Sequence, residues 1–249
     1  MEAARSAAER GHEVTLFEQG PALGGQLRLA IVPPFKKDLV GLLSYLQGGV
    51  KKGVDLRLRR RIEPRELLGN RFDAVIVAVG CAPPDLAGND GGRIARAWDV
   101  LPGRAKLGGS RVVVSGKGRL ACEVSEFLRV RWKKEVTLLH AGPMDDLGRD
   151  LEPLFERRLL LGRLQDCGVK FLSQTKITRI GAEGVEVEGK GPESIPCDHI
   201  VLDEASVPDR LFGDELRGKV EMIEIGDCLE PSDLYRAIHD GFRAGYAVK

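Results

Sequence analysis

The stretch RVVVSGKGRLACEVSEFLRVRWKKEVTLLHAG, residues 111–142, narrows the folds open to this chain more than any other segment. Its β-branched run predicts a strand over Val112–Ser115 and its glycines a loop over 116–121. Helical spacing follows from Cys122 to about Arg131, and then a second strand over Val136–Leu139. Strand, loop, helix and strand in that order make a βαβ unit, two parallel strands joined by a crossover helix. Within it Gly116-x-Gly118-x-x-Ala121 stands between strand and helix, the setting in which this pattern binds a dinucleotide. The first glycine allows the tight turn, the second lets the backbone reach a pyrophosphate, and the small Ala121 lets helix and strand pack closely. Amides at the helix start then face the ligand's negative charge. A βα turn that holds nothing is the plainer alternative.

The residue at the end of the second strand, where an acid usually takes the ribose hydroxyls of NAD, is His140. A neutral imidazole accepts one hydroxyl bond, a protonated one favours the 2′-phosphate of NADP, and a simple loop histidine does neither.

The opening residues MEAARSAAERGHEVTLFEQG repeat part of this pattern: a small-residue helix over Met1–Glu9, a Gly11-His12 turn, and a strand Val14–Phe17 ending at Glu18. GHEVTLFEQG echoes KKEVTLLHAG at 133–142, so the chain reads as two dinucleotide-binding units in series. Glu18 holds the acidic ribose position, and Gly24-Gly25-Gln26 lets backbone amides approach a second stretch of the same cofactor. An amphipathic helix carrying Leu39, Val40, Leu42, Leu43, Leu46 and Val50 follows. In VDLRLRRRI, Val54, Leu56 and Leu58 alternate with Arg57, Arg59 and Arg61, as in a strand with one wet face. Ala74–Val79 is apolar on both faces, as a central parallel strand is. Residues 85–110 read as a linker, and LEPLFERRLLLGRLQDCGV as a helix burying Leu154, Leu159, Leu160 and Leu164. Short strands with a Gly184 turn and a strand Asp198–Asp203 follow. The last strand ends at Gly226-Asp227, before a helix carrying Leu234, Ile238 and Phe242. There Asp227 is placed either to meet a ribityl or phosphate group or to cap the helix, and the two roles are compatible.

With 43% hydrophobic and 30% charged residues the chain is globular rather than disordered, and a net charge of +1 offers no field for nucleic acid or an anionic membrane. Cys81, Cys122, Cys167, Cys197 and Cys228 stand far apart without a CxxC pair, which predicts buried reduced thiols and no metal site. No apolar run approaches the ~20 residues of a membrane span, and no signal segment is present, so a cytoplasmic protein is expected.

In order, RGHEVTLFEQGPALGGQL, VIVAVGCAPP, ARAWDVL, VVVSGKGRLACEVSEFL and EIGDCLEPSDLYRAIHDGFRA resemble the C-terminal portion of the NADH:flavin oxidoreductases of the 2,4-dienoyl-CoA reductase, trimethylamine dehydrogenase and enoate reductase group. The resemblance implies an α/β chain of two Rossmann-like, three-layer domains. An FAD-type domain over 1–105 is interrupted by an NAD(P)-type domain over 106–220 and completed by 221–249. It places Glu18, Gly24, Gly25, Gln26, Ala78, Gly80, Gly226 and Asp227 on FAD-contact motifs, and Gly116, Gly118 and Ala121 on the loop for NAD or NADP. No catalytic side chain is singled out, because the flavin carries the chemistry. VLDEASVPD departs from the family in having acids where a small apolar stretch is usual.

By the same resemblance, a strand and a glycine loop are expected ahead of Met1, and ahead of these an FMN barrel with an iron-sulfur cysteine cluster. Without that strand and loop the FAD-type domain is N-terminally truncated, and FAD binding is expected to be weak or absent unless a partner subunit supplies the missing strand. The functional expectation is an electron-transfer module passing hydride from NAD(P)H to FAD. The alternative is a non-catalytic adenine-nucleotide-binding or structural remnant that needs a partner chain.

Overall fold

The computed structural model describes residues 1–70, 72–85, 92–210 and 212–249. They form two compact units, 1–31 with 37–82 and 206–249, and 32–36 with 83–205.

The first unit opens with α1 (Glu2–Glu9), whose alanines suit a helix with one close-packed face. It continues through β1 (Val14–Glu18), α2 (Leu27–Ala30), α3 (Asp38–Val50), β2 (Val54–Leu58), α4 (Pro64–Gly69), β3 (Ala74–Val77) and β4 (Cys81–Ala82). Strands β1 and β2 pair in parallel, with Val14 opposite Val54 and Glu18 opposite Leu58. The wet face of β2 holds through Arg57, which pairs with Asp55 at 2.8 Å, but Leu58, expected on the apolar face, is exposed, and Arg59 leaves the strand at φ 54°. Helix α4 begins with Pro64 behind a reciprocal Glu63–Glu66 cap.

The second unit is built on β5 (Ile94–Arg96), α5 (Ala97–Val100), β6 (Arg111–Ser115), α6 (Arg119–Val130), β7 (Glu135–His140), α7 (Arg158–Asp166), β8 (Lys170–Ser173), β9 (Thr175–Ile180), β10 (Gly184–Gly189), β11 (Ser194–Pro196) and β12 (His199–Leu202). Five parallel strands run in the order β5-β12-β6-β7-β8, and β9, β10 and β11 form an antiparallel sheet. Alternation sorts the β6 side chains. Val112 and Val114 pack with Leu128 and Leu164 on the helical side, while Val113 packs with Val185 and Ile195 of the antiparallel sheet. Helices, parallel sheet and antiparallel sheet make three layers.

The chain returns to the first unit with β13 (Val207–Pro208), α8 (Gly213–Leu216), β14 (Glu221–Glu224) and α9 (Leu234–Ala247). β14 pairs in parallel with β3, and β13 in antiparallel with β4. Helix α9 lies along α1, with Gly241, Ala244 and Gly245 buried.

Several expectations change. The unit boundaries fall at 82/83 and 205/206 rather than 105/106 and 220/221: β5 adds a strand to the second sheet, and β13 pairs with β4 of the first unit. The linker expected over 85–110 is in its described part this strand and α5; residues 86–91 lie outside the described residues. Among the described residues β3 pairs with β14 alone, so it is not a central strand, and β1–β2 and β3–β14 are separate pairs. Leu154 and Leu159 are exposed while Leu160 and Leu164 are buried, because a π-helical turn over Pro153–Arg157 ahead of α7 shifts the apolar face. Gly184 begins β10 instead of forming the turn, and Phe242 is 44% exposed. All five cysteines are free, but Cys81 and Cys167 are only half-buried.

Candidate functional site

In the first unit, parallel strands deliver their carboxyl ends to the loops where ligands of such sheets bind. Glu18 ends β1, half-buried, and its Oε1 accepts the Gly20 amide at 2.6 Å. Gly24 has φ 131°, and a Cβ there would stand 2.8 Å from Arg28 Cγ and from Leu43 Cδ1; Gly25 has φ 45° and open space around it. Only glycine fits both requirements at position 24. Gln26, at the start of α2, crosses to the other strand pair: its Nε2 donates to Asp227 Oδ2 at 2.9 Å and to Cys81 Sγ at 3.2 Å. Asp227 also accepts the Ser232 amide at 3.0 Å, so it ties down the turn ahead of α9. Gly80 (φ 83°) and Gly226 (φ 65°) are the left-handed turns that end β3 and β14 beside this cluster. Thus Gln26, Gly80, Gly226 and Asp227 come together, whereas Glu18 makes its bond locally and Ala78 is exposed beyond β3. Cys81, counted in the sequence as an ordinary thiol, belongs to the cluster, and burial raises its pKa.

In the second unit, Gly116 stands where the sequence predicts it. Its amide donates to the Leu139 carbonyl at 3.1 Å, and a Cβ on it would lie 2.8 Å from Ala121 Cβ. The small pair lets α6 seat on the strand ends. Two acids complete this loop, and the residue-by-residue reading assigned them no part. Asp150 accepts the Arg119 amide through both oxygens, at 3.0 and 2.9 Å, and Asp203 Oδ2 accepts the Ala121 amide at 3.1 Å. Gly118 is crowded by Asp150, whose Oδ2 would be 3.0 Å from a Cβ at that position. The glycine geometry fits a dinucleotide; the charge around it does not. The acids of VLDEASVPD were the visible sign of Asp203, and nothing in the sequence tied Asp150 to the loop. His140 ends β7 only 7% exposed, with Nε2 unpartnered among the described residues and packed beneath Gly142.

Burial is the first cause that lifts Asp203 to about 6, and Asp150 adds repulsion, while the Ala121 amide opposes both. The folded chain therefore holds this proton more tightly than the unfolded chain does. Stability is highest below the ordinary aspartate range and falls as pH rises through about 6. Asp203→Asn is expected to remove this slope, gaining about 2–3 kcal/mol on the parent between pH 4 and pH 8. Denaturant titrations of both proteins at the two pH values check it; parallel curves would refute it. Burial and the charges of Asp150 and Asp203 likewise push the Cys122 thiol up to about 12.

Two α/β units, the second with a strand-end loop of the dinucleotide type, define a nucleotide-binding fold. Residues 1–204 match the family described as pyridine nucleotide-disulphide oxidoreductase, and the chain belongs to that family. Membership of that family implies FAD and NAD or NADP as cofactors. The chain is 36% identical over 250 residues to a bilirubin reductase of Mediterraneibacter gnavus, an alignment taking in 98% of this chain and 38% of the relative. It is 31% identical over 278 residues to a metal reductase of Desulforamulus reducens, covering 97% of this chain and 41% of that one. The solved structure of 2-naphthoyl-CoA reductase superposes with a TM-score of 0.87 at 27% identity, over 100% of this chain and 38% of the other. The chain thus spans about two fifths of the length of the relatives it matches. It corresponds to the FAD/NAD(P)-binding portion of the group its motifs resemble. Among the described residues no acidic, histidine or cysteine cluster could hold a metal ion, and no helix is long and apolar enough to cross a membrane.

Proposed function

We propose that this chain is the FAD- and NAD(P)-binding electron-transfer module of a flavin oxidoreductase, in which hydride passes from the reduced nicotinamide to FAD. The electrons then continue to a partner subunit or to another domain of a longer protein. The observation that carries this reading is the Gln26–Asp227 bond, which joins residues 201 positions apart into one polar cluster at the ends of β3 and β14. Such a cluster is where a ribityl or phosphate group would be held. Asp227 would accept the ligand's hydroxyl or a bridging water, Gly24 and Gly25 would offer backbone, and Glu18 would use its free oxygen on the adenosine ribose. Ala78 and Gly80 would leave room for the chain to pass close to the ligand. In the second unit Gly116, Gly118 and Ala121 would seat the nicotinamide dinucleotide, with His140 beside its ribose. When bound, FAD supplies the hydride chemistry, and these residues bind and orient it.

Anaerobic absorbance spectra of the purified protein, recorded with FAD kept in excess so that weak binding is populated and then with NADH or NADPH added, test this. Bleaching of the flavin band that is faster with the protein than without it is expected; flavin that neither nucleotide reduces faster in the protein's presence overturns it. Asp227→Ala is expected to weaken FAD retention about tenfold, the worth of one charge-assisted hydrogen bond. Equal FAD affinity in equilibrium dialysis would remove Asp227 from the site.

The second reading, a chain that acts structurally without electron transfer, is favoured by one observation: two amides at the start of α6 are already taken by Asp150 and Asp203.

A further inference from the structure

Helix α6 presents three amides in its first turn, those of Arg119, Leu120 and Ala121, and none can bond back within the helix. They are the groups that a pyrophosphate takes at such a loop. Here two of the three have acceptors brought from elsewhere in the chain. Asp150 arrives from the segment between β7 and α7, and Asp203 is the first residue after β12. Asp203 is pressed into the loop itself: a Cβ on Gly116 would stand 2.7 Å from Asp203 Cβ, 3.1 Å from its Oδ2 and 2.8 Å from Ala121 Cβ. Its own amide donates to the Ser115 carbonyl at 2.9 Å, so the backbone under the side chain is fixed by the sheet. The carboxylate therefore fills the space between the first glycine and the third position of the motif. Beside the loop, at the end of β7, the buried His140 keeps an Nε2 that has no hydrogen-bond partner among the described residues.

We propose that Asp203, supported by Asp150, caps the nucleotide loop from within, so that a phosphate-bearing ligand reaches the start of α6 only by displacing the Asp203 carboxylate. The ligand class is a pyrophosphate diester, and the inference rests on the reading that the second unit takes its dinucleotide at this loop. A carboxylate and a phosphate compete for the same donors, and like charge makes simultaneous occupation unfavourable. Removing the carboxylate frees the Ala121 amide and opens the space against Gly116.

The test is calorimetric titration of the full chain and of Asp203→Ala and Asp203→Asn with inorganic pyrophosphate, NADH and NADPH. Asp203→Ala is expected to bind pyrophosphate and the preferred nucleotide about tenfold more tightly than the parent, one charge-assisted bond to a helix start. Asp203→Asn keeps an acceptor for Ala121 without the charge, so its gain is smaller; it carries the test if the alanine variant does not fold. Variants that bind both probes no more tightly than the parent overturn the internal cap, and dinucleotide binding to the loop then stands if the parent binds NADH or NADPH. A gain for pyrophosphate with no nucleotide bound by any variant supports the cap and overturns the dinucleotide reading.

Discussion

Replacing Gly245 by valine is expected to cost the first unit about 3 kcal/mol or more, read as a lower denaturant midpoint with an unchanged slope. The reason is the closeness of α1 and α9. A Cβ at position 245 would run into the Ala3 carbonyl oxygen, with Ser6 Cβ at 2.9 Å and the Ala7 amide nitrogen at 3.0 Å. Two of these three atoms are backbone, so no side chain can swing aside, and the helices must part. Parting them uncovers Ala3, Ala4 and Ala7, which are buried, and loosens the contact of Ala3 and Ala244 with Ile76 of β3 and Ile223 of β14. Gly241, one turn earlier, is looser: its Cβ would meet Glu2 Cβ at 3.2 Å and the Ala3 amide at 3.3 Å, so Gly241→Ala should cost less. Gly41 in α3 is the control. It is exposed with nothing within 4 Å of its Cβ position, and Gly41→Ala should stabilise by about 0.5–1 kcal/mol. If Gly245→Val is as stable as the parent, the α1–α9 packing described here is wrong.

The second unit was more legible in the sequence than the first. Val112–Ser115, the glycine loop and Val136–Leu139 were readable because alternation, glycine placement and helical spacing all point to one βαβ unit, and each signal is local. The ends of β1 and β14 were readable for the same reason, since Glu18 and Gly226 each stop an apolar run, whereas β3 stops at Val77, short of the apolar run to Val79. Partnership was not readable. Nothing local says that β5 pairs with β12, more than a hundred positions on, so its segment resembled a linker with its proline and glycines. Leu154 and Leu159 satisfied a helical period that the π turn breaks. The acids at α6 show the same limit in the candidate site: a carboxylate reaching a helix start from 31 or 82 positions away leaves no trace in spacing. Resemblance flagged VLDEASVPD as unusual, but only the fold shows that Asp203 faces Ala121.

Arg163→Ala is expected to destabilise the second unit by about 3–5 kcal/mol, more than an ordinary surface arginine would. Glu126 lies on α6, 1% exposed, and the Arg163 guanidinium on α7 meets it with Nε at 2.6 Å from Oε1 and Nη2 at 3.3 Å from Oε2. The arginine is itself partly covered, and its guanidinium stacks on the Phe35 ring at 4.8 Å. Truncating it leaves a buried carboxylate without its cation, while the desolvation already suffered by Glu126 remains. A second buried acid one turn away, Glu123, meets Lys36 at 2.8 Å and Arg119 at 3.8 Å, and burial raises its pKa. The pair itself need not add stability, because two desolvated charges roughly balance their attraction. The apolar double variant Glu126→Leu/Arg163→Met should therefore recover most of the loss in the same denaturant titration. A single variant that loses less than about 1 kcal/mol, or a double variant no better than the single, would mean that the Arg163–Glu126 pair does not support this contact. The α6–α7 contact would then rest on Leu128, Leu160 and Leu164 alone.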